Sequence, residues 1–159
     1  ELFHTKHGNI SATNGTINIQ TLGNARQALR QQKSLNGRFI NVSAKYLIVP
    51  SSLETVAQQM MTSTNIVFTK SPDVNPFAGT LQIIAEPRLD AASQTAWYLA
   101  GDPSQIDTIE YAYLEGNEGV QLEHRIGFDV DGVELKARLD FGAKAIDYRG
   151  FYRNSGAAS

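Results

Sequence analysis

The chain has 159 residues, 42% of them apolar and 19% charged, with no cysteine and a formal net charge of -2. That length suits one domain with a full core or two small lobes, and the lack of cysteine excludes disulfides, thiolate zinc sites and a cysteine nucleophile. A pI near 5.9 gives no global field to draw nucleic acid or anionic lipid, and no apolar run approaches a bilayer span.

The first sixteen residues, ELFHTKHGNISATNGT, are polar and follow neither structural period, so they read as an arm or loop. In INIQTLGNARQALRQQK, Leu22, Ala25 and Leu29 recur at three- and four-residue steps while Arg26, Arg30 and Lys33 fall on another face. This spacing predicts an amphipathic helix over about 18–33. Asn36-Gly37 predicts a turn, and the alternation that ends in Tyr46–Val49 predicts a buried strand.

Pro50 stops that strand. Ser51-x-x-Glu54 has the form of a capping box, and Leu53, Val56, Ala57, Met60 and Met61 then follow a helical period. The connection from Thr62 to Gly79 contains SPDVNPFAG and is long for a compact domain, which marks it as a working loop. TLQIIAEP and AWYLAG read as strands, and Asp102-Pro103 breaks the chain. DTIEYAYLEG alternates, with Ile109, Tyr111 and Tyr113 on one side. Two more strands are expected around Val120–Phe128 and Val133–Phe141, followed by a polar tail.

The stretch GFDVDGVELKARLDFGAKAIDYRG tests a calcium reading. An EF-hand loop with Gly132 at its sixth position would put Gly127 at the first and Arg138 at the twelfth, and neither supplies a carboxylate. From Val133 the chain instead alternates: Val133, Leu135, Ala137, Leu139 and Phe141 against Glu134, Lys136, Arg138 and Asp140. A strand places these sets on opposite faces, one apolar and one charged.

Other constellations are weak. His4 and His7 lack a third ligand and sit in a polar arm. His124 has no nucleophile motif beside it, and Asp140 and Asp147 are not shown by sequence to converge. The Asn-x-Ser/Thr triplets at Asn9, Asn14 and Asn41 are read as chance. Arg26, Arg30 and Lys33, with Arg38 beyond, form either a phosphate-holding stripe or the solvated face of the helix. No catalytic motif is found, so no enzyme activity, cofactor or metal is expected.

Taken in order, ARQALRQQK, YLIVPSSLETVAQQ, VNPFAGTLQIIAEPRL, WYLAGDPSQIDTIEYAYLEG and GFDVDGVELKARLDFGAKAIDYRGFYRN resemble the major capsid (head) proteins of tailed bacteriophages, in the Mu-like branch. Some members of that branch are fused to a Clp-like prohead protease. The resemblance runs from about Gly15 to Asn154 and lies in the order and spacing of the blocks. It implies an α+β subunit of the Hong Kong ninety-seven capsid type. Under it, residues 1–16 form an arm, 17–38 the end of the peripheral spine helix, 39–116 the axial domain, 117–155 the return strands of the peripheral domain, and 156–159 a tail.

It further implies a structural virion protein, made in the bacterial host cytoplasm, that self-assembles into pentamers and hexamers of an icosahedral head. Family members are about twice this length and the chain opens on Glu1, so a carboxy-terminal part of a phage or prophage subunit is expected. Arg26, Arg30 and Lys33 are expected at subunit contacts, with weak contact to packaged DNA and none to a membrane. Asp73, Asn75 and Phe77 are expected at a loop tip near neighbouring subunits, where Phe77 would be buried only on association. The rival readings are a tail or baseplate protein, which predicts no long helix over 18–33, and a hydrolase or protease domain.

Overall fold

The computed structural model describes residues 1–63, 74–127 and 131–156. In chain order the elements are α1 (Ile19–Arg30), β1 (Ala44–Val49), α2 (Glu54–Thr62), β2 (Gln82–Ala85), β3 (Trp97–Gly101), β4 (Ile109–Tyr113), β5 (Gln121–Ile126), β6 (Val133–Arg138), β7 (Phe141–Ala145) and β8 (Phe151–Asn154). The mixture is α+β. The chain divides into two compact units, Glu1–Thr108 with Asp147–Ser159, and Ile109–Ile146. Helix α1 and the last strand fall in the first unit with the 39–108 segment, and the second unit begins before residue 117.

The first unit is built on a four-stranded sheet ordered β2-β1-β3-β8, with β1 and β2 parallel and the other pairs antiparallel. Parallel neighbours need a crossover, and α2 supplies it. Helix α1 starts as a reciprocal capping box: Asn18 Oδ1 accepts from the Thr21 amide at 2.9 Å while Thr21 Oγ1 accepts from the Asn18 amide at 3.1 Å. Its Leu22, Ala25 and Leu29 are buried, as the helical spacing predicts, and meet Leu47, Val49, Met60, Met61, Trp97, Leu99 and Tyr152 in one core.

The expected cap of α2 is replaced by a remote one. Ser51 lies in a 3-10 turn (Ser51–Leu53) and makes no side-chain cap bond to the helix. Instead the Asp90 carboxylate accepts from the Ser51 amide at 2.9 Å, the Ser51 hydroxyl at 2.5 Å and the Ser52 amide at 3.3 Å. A carboxylate there satisfies free amides at a helical N-terminus, as a local cap would.

The opening segment is stitched to the sheet. Ile10 bridges Arg153 in parallel; the Ser11 amide donates to Arg153 O at 2.8 Å and the Arg153 amide to Asn9 O at 2.9 Å. Buried Asn9 donates to Leu2 O and Tyr148 O, Trp97 Nε1 donates to Gly15 O, and the Gly15 amide donates to Asn154 Oδ1. The segment thus covers the open edge of β8, which would otherwise present unpaired backbone groups.

The second unit is a nested antiparallel ribbon, β4 with β7 and β5 with β6. The single strand expected over Val133–Phe141 is split at 139–140. Between the pairs Tyr113↔Phe141 and Gln121↔Arg138 one strand passes through 114–120 and the other only through 139–140, so the longer side must bulge out. Gly116 and Gly119, at φ of 80° and 88°, make the bulge possible in backbone regions that other residues adopt at a cost. The end of the Val120–Phe128 strand at Phe128 lies outside the described residues.

Candidate assembly surfaces

Three places gather the residues that sequence reasoning singled out. The first is the outer face of α1. Residues 2–53 hold six basic residues and no acidic one, so the helix cations have no local counter-charge. Arg26 lays its guanidinium 4.5 Å over the Phe77 ring, Arg30 Nη1 donates to Asn41 Oδ1 at 3.0 Å, and Lys33 Nζ lies 5.3 Å over the Phe39 ring. None of the three joins an ion pair among the described residues. Arg26 and Arg30 flank a cleft of about 160 Å³ backed by Phe77, Leu81 and Leu99.

Directly after α1 the chain makes a tight turn. Lys33 bridges Phe39, the Ser34 amide donates to Arg38 O, the Gly37 amide donates to Ser34 O, and Gly37 has a φ of 75°. This confirms the Asn36-Gly37 turn. The turn carries Leu35, 94% exposed, and Phe39, 65% exposed, beside Lys33 and Arg38 in the chain.

The second place is the connection between α2 and β2, and here the tip reading is corrected for two of its residues. Phe77 is 2% exposed and belongs to the core. Asn75 is also buried: its Nδ2 donates to Met60 O and Ser63 O at the end of α2, and its Oδ1 accepts from the Phe77 amide at 2.9 Å. Helix ends leave carbonyls unpaired, and Asn75 satisfies them while turning Phe77 inward. Neither side chain offers surface to a neighbour. Asp73 lies outside the described residues.

The third place was legible as a strand but not as a surface. In the ribbon, Leu122, His124 and Ile126 of β5 share a face with Val133, Leu135 and Ala137 of β6, and Ile109, Tyr111 and Tyr113 of β4 share one with Phe141, Ala143 and Ala145 of β7. Sequence alternation predicts that such a face is covered. Among the described residues of its own unit it is bare: Leu122 is 74% exposed, Leu135 79% and Ile126 83%. Tyr111, Tyr113 and Phe141 touch only as a surface cluster, with ring centroids 5.4–6.1 Å apart. The opposite face of β5 and β6 is neutralised by cross-strand pairs, Arg125 with Glu134 at 2.7 Å and Lys136 with Glu123 at 3.0 Å.

Several titratable groups singled out in the sequence are held in structural pairs. Asp140 pairs with Arg138 at 2.9 Å and Asp147 with Arg149 at 2.8 Å. His7 stacks on Tyr148 with centroids 3.8 Å apart. Bidentate hydrogen bonds from Arg88 pull Glu86 down to about 2, and hydrogen bonds from Ser104, with Lys45 adding, hold Asp102 below the usual aspartate range. Among the described residues no group of three His, Asp or Glu is placed to hold a metal, and no helix is long and apolar enough to cross a membrane.

A contiguous exposed apolar face marks an association surface, and comparison with known proteins agrees in kind. No curated protein matches the chain. Residues 3–154 match the model of a family described as phage capsid protein. With nearly its whole length covered by that match, the chain belongs to the phage capsid protein family.

Proposed function

We propose that this chain is the carboxy-terminal portion of a Mu-like major head protein with the Hong Kong ninety-seven fold, and that it self-assembles into pentamers and hexamers of an icosahedral head. The observation that carries the reading, beside family membership, is the uncovered face of the ribbon. A two-stranded ribbon is marginal in water by itself, and full burial of each exposed Leu, Ile or Val on it is worth about 1.5–3 kcal/mol. Neighbouring subunits supply that cover in a shell. On this reading the first unit corresponds to the axial domain, now including α1, and the ribbon corresponds to strands of the peripheral domain.

Arg30 and Lys33 face neighbouring subunits or packaged DNA in this scheme. Arg26, stacked on buried Phe77, serves the fold of its own unit as well. The rival tail or baseplate reading predicts no long helix over 18–33; α1 spans 12 residues there, and family membership favours the capsid role over it. Electron microscopy of the protein bearing this sequence, expressed with its phage partners, should show shells or capsomer rings; a persistently monomeric product contradicts the proposal. A serine-hydrolase probe should leave the chain unlabelled, and specific labelling would favour the hydrolase reading.

A further inference from the structure

The molecule carries two exposed apolar patches of opposite electrical setting. The turn after α1 presents exposed Leu35 and Phe39 beside the cations Lys33 and Arg38, in a stretch with no acidic residue. The unit Ile109–Ile146 has eight acidic and four basic residues, a net of -4, and presents Leu122 and Leu135. In that unit the carboxylates of Glu123, Glu134 and Asp140 are already paired. Glu115 and Glu118, on the bulge 114–120, make no ion pair among the described residues. Lys33 and Arg38 likewise make no ion pair among the described residues.

We infer that the basic turn 33–39 of one copy docks on the acidic ribbon of a second copy, with Leu35 and Phe39 against the apolar face and Lys33 and Arg38 toward Glu115 and Glu118. The inference rests on the capsid reading and adds to it the two surfaces that meet. Charge selects the occupant. Ribbon against ribbon would bring two units of net -4 together, and turn against turn would oppose four cations, so like-with-like packing is repelled in both cases. Turn against ribbon joins free cations to free carboxylates around an apolar centre, the usual layout of a specific interface. The contact uses two different patches and is therefore heterologous, the kind that closes into rings when its rotation allows.

Gly37 gives the turn its shape, since its φ of 75° closes the hydrogen bonds between Ser34 and Arg38 and fixes where Leu35 and Phe39 point. The ribbon bulge is shaped by Gly116 and Gly119 in the same way. Both partners are thus small glycine-set features carrying two free charges each. The apolar centre provides most of the attraction, and the charges determine which surfaces pair.

A charge exchange tests this. Sedimentation of the full chain across a concentration series is compared for wild type, K33E/R38E, E115K/E118K and the fourfold variant. Each double reversal should weaken self-association about tenfold or more, and the fourfold variant should recover most of it. Trp97 fluorescence in each variant checks that the first unit remains folded. If wild type self-associates and the reversals leave it unchanged, or the fourfold variant stays as weak as the doubles, the pairing is overturned while the capsid reading stands. If wild type does not self-associate and no particle contains it, the capsid reading itself fails and the pairing with it. Binding of K33E/R38E-sensitive wild type to an unrelated protein, with no self-association, also overturns the pairing.

Discussion

Replacing Phe77 with Ala separates a surface tip from a core residue. Phe77 is buried to 2% exposure within the cluster that includes Leu22, Leu29, Met60, Trp97 and Leu99, so truncation removes a full aromatic side chain and leaves a cavity. Such changes cost about 3–5 kcal/mol, a large share of the roughly 5–15 kcal/mol that holds a typical domain folded. Loss of the Arg26 stack adds about 0.5–1 kcal/mol. Trp97, the one tryptophan in the chain, is fully buried in the same cluster, so urea unfolding followed by its fluorescence reports this unit. Phe77→Leu, which keeps most of the apolar volume, should cost less than half as much. Arg26→Met combined with Phe77→Ala should be less destabilising than the sum of the single effects, because one partner of the stack is already gone. A Phe77→Ala variant within about 0.5 kcal/mol of wild type, the range of ordinary surface changes, would refute the burial and restore the exposed tip.

Other perturbations have distinct outcomes. Asn75→Ala should destabilise the first unit by about 1–3 kcal/mol, since it removes the buried donor to Met60 O and the acceptor of the Phe77 amide; urea unfolding measures it. Leu122→Ser with Leu135→Ser should leave the Trp97 unfolding midpoint nearly unchanged yet reduce particle formation, because both side chains are exposed within the chain. Gly156→Ala should destabilise strongly, as a Cβ there would lie 2.0 Å from Thr95 O at a φ of 86°. Hydrogen bonds from Ser51 and Ser52 lower the Asp90 pKa, the Ser51 hydroxyl contributing most. A carboxyl depressed in the folded state stabilises above its unfolded value and loses that contribution as pH falls through the folded one. The stability gap between wild type and D90N should therefore hold at neutral pH and close below about pH 4, the ordinary aspartate value.

Much of the fold was legible because its signals are local. The three- and four-residue spacing of Leu22, Ala25 and Leu29 marks α1, and Tyr46–Val49 lies within β1. What escaped depends on distant partners. The SPDVNPFAG composition suggests an exposed loop, but the fate of Phe77 is decided by Arg26 above it and by Asn75 bonding to the end of α2. Likewise Ser51-x-x-Glu54 has a capping-box form, yet Asp90 arrives from 39 residues away to take the bonds. The ribbon shows the converse limit. Alternation from Val133 names the apolar face, but whether that face is covered by the same chain is a property of tertiary structure. Leu35 and Phe39 had no signal beyond the turn at Asn36-Gly37, since isolated exposed apolar residues are common on protein surfaces.

Cryo-electron microscopy of particles assembled by the protein bearing this sequence tests the central claim most directly. The account predicts closed shells whose repeating subunit contains the β2-β1-β3-β8 sheet with α1 packed on it, and whose ribbon has its Leu122 and Leu135 face covered by a neighbouring copy. Shells that lack this chain, or that contain it with the ribbon face open to solvent, would contradict the account.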